Sequence, residues 1–307
     1  MSRSGAQRGA RHDLYRVNVD GSELVQLTDR DDFGDCVLSI DGKRGIYTAG
    51  TDVRGVYLDD ARDELVASFG GAKAIGEITV GGEYIFVQVI HDESHRALVR
   101  IPVEGGEPET IYEGGDFRHV TTNPSGRFIS WVTERTQATR EGTWRVMRTD
   151  GTDEHAWPAQ RWTHNSWVGD SDRMQGGLLP PDRALSWAHP HDSEHQIIAT
   201  GAYFVHSSAT PDAEWIVSDT NWPNIGLQLV HVPSGRWDTL CLDQSSFGHP
   251  QYTHPYPDIS PDGRRVLYNS DRTGVPQVYI VTVPDWLRDE LRSGDLSNRH
   301  RVGPRSD

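Results

Sequence analysis

Three short segments bring a histidine to the start of a strand-like run. They are Thr163-His164-Asn165-Ser166-Trp167, Val205-His206-Ser207-Ser208 and Gln251-Tyr252-Thr253-His254. Imidazole nitrogens with an amide oxygen suit a divalent transition ion such as manganese, iron or zinc. Gln251, three residues before His254, can reach the same ion around the start of its strand. No cysteine belongs to the set, which argues against a structural zinc knot. His249 is a further candidate ligand, two residues before Gln251. His91, His95 and His231 read as surface positions, and His189, His191 and His195 as solvated residues of one loop. The chain has no Gly-x-Ser-x-Gly elbow and no Gly-x-x-x-x-Gly-Lys loop, so neither serine hydrolysis nor a phosphate cradle is expected.

The elements that must position these histidines form a repeat. Its clearest copy is Ser260-Pro261-Asp262-Gly263 followed by Arg265-Val266-Leu267-Tyr268, a turn feeding a strand. Similar turns fall at Asp41-Gly42, Gly81-Gly82, Pro124-Ser125-Gly126 and Pro211-Asp212. The turns at 42, 82 and 126 lie 40 and 44 residues apart, and the interval of 87 from 126 to 213 leaves room for one more copy. That copy spans His164 to Phe204, with strands the pattern does not resolve. A period of this size with four strands per unit is the signature of a β-propeller. The expectation is an all-β, seven-bladed β-propeller with four-stranded antiparallel blades. Seven closing strand pairs are matched by only six opening halves. The first blade, Leu14 to Thr28, is therefore expected to be incomplete, and the last to lack a clear fourth strand. Either the N-terminal outer hairpin helps close the ring, or the ring is open or needs a partner, which makes a homo-oligomer one expected state. Asp285 to Leu291 reads as a short C-terminal helix. The expected organisation is one domain over residues 12–292, with flexible tails at 1–11 and 293–307. In such a propeller the three histidines would share one rim of the central channel.

Composition narrows the partners. The 307 residues carry a net charge of −15, with no basic block, which disfavours nucleic acid and anionic membranes. The 31 Gly and 17 Pro fit many turns rather than long helices. Cys36 and Cys241 are too few and too distant for a disulfide framework, as in a reducing compartment. The N-terminus has no apolar run of a secretory signal, and no stretch has the roughly 20 apolar residues of a membrane span. A cytoplasmic location is expected.

From about residue 140 onward the chain resembles the oligogalacturonate lyase family, seven-bladed propellers that cleave pectin oligomers. The resemblance rests on an ordered set of motifs. Thr163-His164-x-x-Trp167 comes first, then His206 before Asp212 and Val217-Ser218-Asp219. Gln251-x-x-His254-Pro255-Tyr256-Pro257 follows, and then Ser260-Pro261-Asp262-Gly263 and Val266-Leu267-Tyr268-Asn269-Ser270-Asp271. It implies His164 as the catalytic base and His206, Gln251, His254 and the position of Tyr256 as ligands of a divalent metal, Mn2+ above others. The family has histidine where this chain has Tyr256. A neutral phenol is a poor ligand, so metal affinity falls unless Tyr256 ionises or His249 substitutes. A catalytic arginine should precede His164 by some two dozen residues; Arg140 and Arg145 are the candidates, and neither aligns cleanly. The implied reaction is β-elimination on a short acidic oligosaccharide. The base takes the proton α to a uronate carboxylate, the ion absorbs the charge that develops there, and an arginine steadies the enolate. The competing expectation is a non-catalytic propeller serving in binding or assembly, which the incomplete first blade and Tyr256 favour.

Overall fold

The computed structural model describes residues 12–133, 143–157, 162–178, 181–248 and 251–295. Packing divides the chain into two compact units, residues 1–157 and 158–307. The first opens with a two-stranded hairpin, β1 (Tyr15–Arg16) and β2 (Val25–Gln26). Three antiparallel four-stranded meanders follow. They are β3 (Phe33–Leu38), β4 (Arg44–Ala49), β5 (Asp52–Tyr57) and β6 (Asp63–Ser68); β7 (Ala74–Gly81), β8 (Tyr84–Ile90), β9 (Arg96–Pro102) and β10 (Glu109–Gly114); and β11 (Phe117–Thr122), β12 (Phe128–Thr133), β13 (Thr143–Arg148) and β14 (His155–Ala156). The second unit has two more, β15 (Trp162–Trp167), β16 (Met174–Leu178), β17 (Ala184–Ala188) and β18 (Gln196–Thr200), then β19 (Phe204–Ala209), β20 (Trp215–Thr220), β21 (Leu227–His231) and β22 (Arg236–Cys241). A three-stranded sheet of β23 (Asp258–Ile259), β24 (Arg265–Ser270) and β25 (Gln277–Thr282) and the helix α1 (Asp285–Ser293) complete it.

These are propeller blades, six among the described residues rather than the seven expected from the sequence. The segment Leu14–Thr28 accounts for the difference. It pairs only with itself, Tyr15 against Gln26 and Arg16 against Val25, and builds a hairpin, not a blade. The copy hidden between 164 and 204 is a full blade, β15 to β18. Its second strand reads Met-Gln-Gly-Gly-Leu, which has little strand propensity by itself. Gly176 is needed there for space, since a Cβ would lie 2.5 Å from the His164 carbonyl oxygen.

The core lies between facing blades within each unit. Ile46 and Val53 meet Ile78, Val80 and Val87 in one cluster, and Phe86 and Leu98 meet Phe117, Ile129 and Trp131 in the next. In the second unit Trp215, Val217 and Leu229 pack with Ile259, Val266 and Tyr268. Leu287 and Leu291, one turn apart on α1, join that cluster and give the helix its buried stripe. The helix ends at Gly294, at φ 76°. No helix among the described residues is long and apolar enough to cross a membrane.

One irregularity recurs in five blades. The first strand slips register by one residue against the second, after Phe33, Ile75, Arg118, Trp162 and Phe204. Such a bulge re-aims a side chain and leaves an amide without its ladder partner. The residue facing the bulge can supply the lost acceptor. Thr48 Oγ1 accepts from Asp35 N at 2.9 Å, and Asp219 Oδ1 accepts from His206 N at 2.8 Å. The bulge ends on Asp35, Glu77, Val120, His164 and His206. In the first unit its carboxylates stitch neighbouring blades: Asp35 Oδ2 accepts from Ile78 N at 3.3 Å and Glu77 Oε2 from Val120 N at 2.7 Å. In the second unit the same position is histidine in two successive blades.

Candidate active site

The two bulge histidines meet. The rings of His164 and His206 are 4.4 Å apart, centroid to centroid. A knot just beyond the bulges holds this spacing. The fully buried Gln175 amide donates to Ser166 Oγ at 2.6 Å and to Ser207 Oγ at 2.7 Å, and Ser166 Oγ donates to the Ser207 carbonyl at 2.8 Å. β15 and β19 are thereby fixed to each other one and two residues past the histidines.

His206 is 9% exposed, and its orientation is set by Asp219, which is completely buried. Asp219 Oδ2 accepts from His206 Nδ1 at 2.8 Å, while Oδ1 serves the backbone amide of the same residue. A carboxylate can only accept, so Nδ1 carries the proton and Nε2 keeps its lone pair. That arrangement is the one by which proteins orient a metal-binding imidazole. Ser218 Oγ donates to the His206 carbonyl at 3.1 Å and ties the strand down on its other side.

The third histidine arrives on a different device. Gln251–Thr253 forms one 3-10 turn, closed by His254 N donating to the Gln251 carbonyl at 2.9 Å. The chain then passes through Pro255-Tyr256-Pro257, with Tyr256 at φ 44°, a left-handed conformation rare for a bulky residue. Asn269 N donates to the Pro255 carbonyl at 2.8 Å, and Ile259 N to Ser208 Oγ at 2.7 Å, which anchors this segment to β24 and β19. The His254 ring lies 5.6 Å from His206 and 5.2 Å from Phe247, and the Tyr256 ring 4.1 Å from His206. Tyr256 Oη donates to Gln251 Oε1 at 3.4 Å. Burial, and secondarily the Asp219 carboxylate, push the Tyr256 phenol up from its usual range, so it stays protonated at neutral pH.

His164, His206, Gln251, His254 and Tyr256 thus gather in the second unit. His206 and His254 offer imidazole nitrogens and Gln251 an amide oxygen, donor types that divalent transition ions take. The protonated Tyr256 fits better as a hydrogen-bond donor to Gln251 than as an anionic ligand. Arg145 belongs to the first unit, on β13. Its guanidinium is paired with Glu154 and lines a cavity of about 280 Å³ with Tyr112, Asp116 and Thr133. Arg140 and His249 lie outside the described residues. His231, read from the sequence as a surface position, is 8% exposed. It sits 4.9 Å from the Trp215 ring with Nδ1 against Ser234 Oγ at 2.8 Å.

Sequence reasoning missed Asp219 as a partner of His206, and it missed Gln175 and Asp243. Asp243 is fully buried at the start of the segment that leads to Gln251. Its Oδ1 accepts from Ser245 N at 2.7 Å and Asn224 Nδ2 at 3.1 Å, while Oδ2 has no hydrogen-bond partner among the described residues. Ser245 Oγ in turn donates to the Thr253 carbonyl, so Asp243 is one link from the 3-10 turn. Burial pushes the Asp243 carboxyl up, against the pull of its two hydrogen bonds. An acid with a raised pKa holds its proton more tightly folded than unfolded. Its contribution to stability is therefore greatest in acid and declines as pH rises from about 3.9, the unfolded value, through the raised folded value. Asp243→Asn keeps the Oδ1 acceptor and removes the buried charge. It should raise Tm near neutral pH by about 1–3 °C, with the gain vanishing towards pH 4; thermal unfolding between pH 4 and 8 checks this.

No family model matches the chain. It is 24% identical over 216 residues to the oligogalacturonide lyase of Pectobacterium atrosepticum, a match covering 61% of this chain and 55% of that protein. A stretch of 63 residues is 45% identical to the oligogalacturonate lyase of Dickeya dadantii and covers 19% of this chain and 16% of that protein. The chain therefore matches little more than half the length of the first of these relatives and a sixth of the second. Among solved structures, an oligogalacturonate lyase in complex with manganese superposes with a TM-score of 0.78 at 18% identity, over 90% of this chain and 84% of that one. By sequence over 216 residues, and by fold over nine-tenths of its length, this chain is similar to oligogalacturonate lyases.

Proposed function

We propose that the chain is a lyase that cleaves short galacturonate oligomers by β-elimination at the His164–His206–His254 cluster. The observation that carries this reading is the paired inner-strand bulge, which sets His164 4.4 Å from a His206 whose Nδ1 is held by a buried carboxylate. The His164 imidazole is exposed, as a base must be; that of His206 is locked, as a ligand must be. His206, His254 and Gln251 would hold a divalent ion, manganese by analogy with the solved relative. When bound, such an ion supplies a positive charge for the uronate carboxylate and the negative charge that develops on it.

His164 takes the proton α to the carboxylate. The electron pair left behind forms the new carbon–carbon double bond, the neighbouring carbon–oxygen glycosidic bond breaks, and the leaving oxygen takes up a proton. Asp219 keeps His206 in one tautomer throughout, and Tyr256 steadies the Gln251 amide. Arg145, engaged by Glu154, is a weak candidate for enolate stabilisation, which leaves Arg140 as the arginine to test in that role. An acidic chain of net charge −15 repels a long polyanion, which favours short oligomers as substrate.

The test is incubation with digalacturonate and trigalacturonate, with manganese and after chelation. The expected result is ultraviolet absorbance from the new conjugated double bond, matched by new reducing ends, and lost on chelation. Absence of both signals in manganese-loaded protein would sink the lyase reading and leave the non-catalytic binding module as its replacement.

A further inference from the structure

Trp222 is the most exposed tryptophan among the described residues, at 69%. A large aromatic ring left in solvent is informative where ordinary surface side chains are not. Its indole lies flat on Tyr203, with centroids 5.7 Å apart and planes 8° from parallel. Tyr203 is itself buried, so one face of the indole is covered and the other is open.

The loop that carries Trp222 is braced. Trp222 N donates to Asn221 Oδ1 at 2.9 Å, and Asn221 N donates to the Tyr203 carbonyl at 3.2 Å. Ile225 N donates to Thr220 Oγ1 at 3.0 Å, Gly226 N to Asn224 Oδ1 at 2.8 Å, and Asn224 Nδ2 to the buried Asp243 at 3.1 Å. Trp222 itself is held at φ 47°, a conformation that a bulky residue keeps only where its surroundings impose it. A stiff loop of this kind presents a ring at little ordering cost on binding.

Its place in the register is what connects it to the site. Phe204 pairs with Thr220, and His206 meets Asp219 at the same end of the β19–β20 hairpin. Tyr203 and Trp222 extend that end by one and two residues. Tyr203 is three residues from His206, roughly 10 Å along an extended strand. The indole thus belongs to the end of the β19–β20 hairpin that carries His206, roughly 10 Å or about two pyranose lengths along the strand from it, with the exposed Asn224 and the partly exposed Asn221 in the same loop.

We propose that Trp222, backed by Tyr203, is a stacking subsite for a pyranose ring of the oligosaccharide one to two rings along from the ring on which elimination occurs. The place of this ring relative to the reacting one rests on the lyase reading above; the platform itself does not. The C–H face of a pyranose is apolar and flat enough to lie on indole, while its hydroxyls and carboxylate reach the amides at the rim.

The test uses the full chain. Trp222→Phe identifies the Trp222 indole N–H signal in 1H–15N spectra by its loss. That signal should move in wild-type protein titrated with trigalacturonate. Trp222→Ala should raise KM for trigalacturonate about three- to tenfold, with the effect falling on KM rather than kcat, and Trp222→Phe should restore most of it. An unmoved Trp222 signal with both galacturonate and neutral pyranose oligomers at millimolar concentration overturns the proposal, as does an unchanged KM in folded Trp222→Ala. A signal that moves in protein forming no double bond supports the subsite and counts against the lyase. Turnover with an unmoved signal does the reverse.

Discussion

Alanine in place of His164 should slow double-bond formation about 10²–10⁴-fold, the share that a positioned proton acceptor ordinarily contributes. Manganese should stay bound, because the donor set assigned to the ion does not include His164. The fold should be unaffected, since the His164 side chain is exposed and the Gln175 knot that fixes β15 to β19 is made by Ser166 and Ser207. Single-turnover absorbance and calorimetric titration with manganese read the two quantities separately. Loss of both would make His164 a ligand: a ring 4.4 Å from His206 is close enough to serve the same ion.

The second large effect is expected at Asp219. In Asp219→Asn the amide oxygen can still accept from the His206 backbone N–H. The amide nitrogen then faces Nδ1 and donates to it, which drives the imidazole proton to Nε2 and removes the lone pair a metal would use. Manganese affinity should fall about 10–100-fold, as with other groups that orient a metal-binding histidine, and turnover at limiting metal should fall with it. Excess manganese should recover part of the rate, which separates a loss of binding from a loss of chemistry. Asp219→Ala should in addition cost about 1–3 kcal/mol of stability, because the bulge amide of His206 is left buried without an acceptor. Chemical denaturation measures that cost. Unchanged manganese affinity in Asp219→Asn would mean that His206 is not a ligand.

Much of the scaffold was legible in the amino-acid sequence because it is local. Turn glycines at 42, 82, 126 and 263 all adopt φ between 58° and 69°, and each introduces a strand as its sequence context implies. Period-two patterning located most strands, and Leu287 and Leu291 announced the terminal helix. The phase shared by His164 and His206 was also visible, since equivalent positions in a repeat keep equivalent spacing.

What the sequence alone determined was therefore the repeat, its turns and the segments on which the histidines lie. Tertiary structure decided the rest, because it depends on pairings between distant residues. The described residues make six blades because Tyr15 and Arg16 pair back onto Val25 and Gln26, which strand propensity cannot foretell. Arg145, a catalytic candidate through the family resemblance, is engaged by Glu154, nine residues on. Asp219 reads as an ordinary strand end, yet one register slip aims its carboxylate at His206, 13 residues away, and closes it from water. A bulge moves each side chain beyond it to the other face of the sheet. Which residues meet in the site is thus fixed by strand register and blade packing, and these form only when the blades assemble.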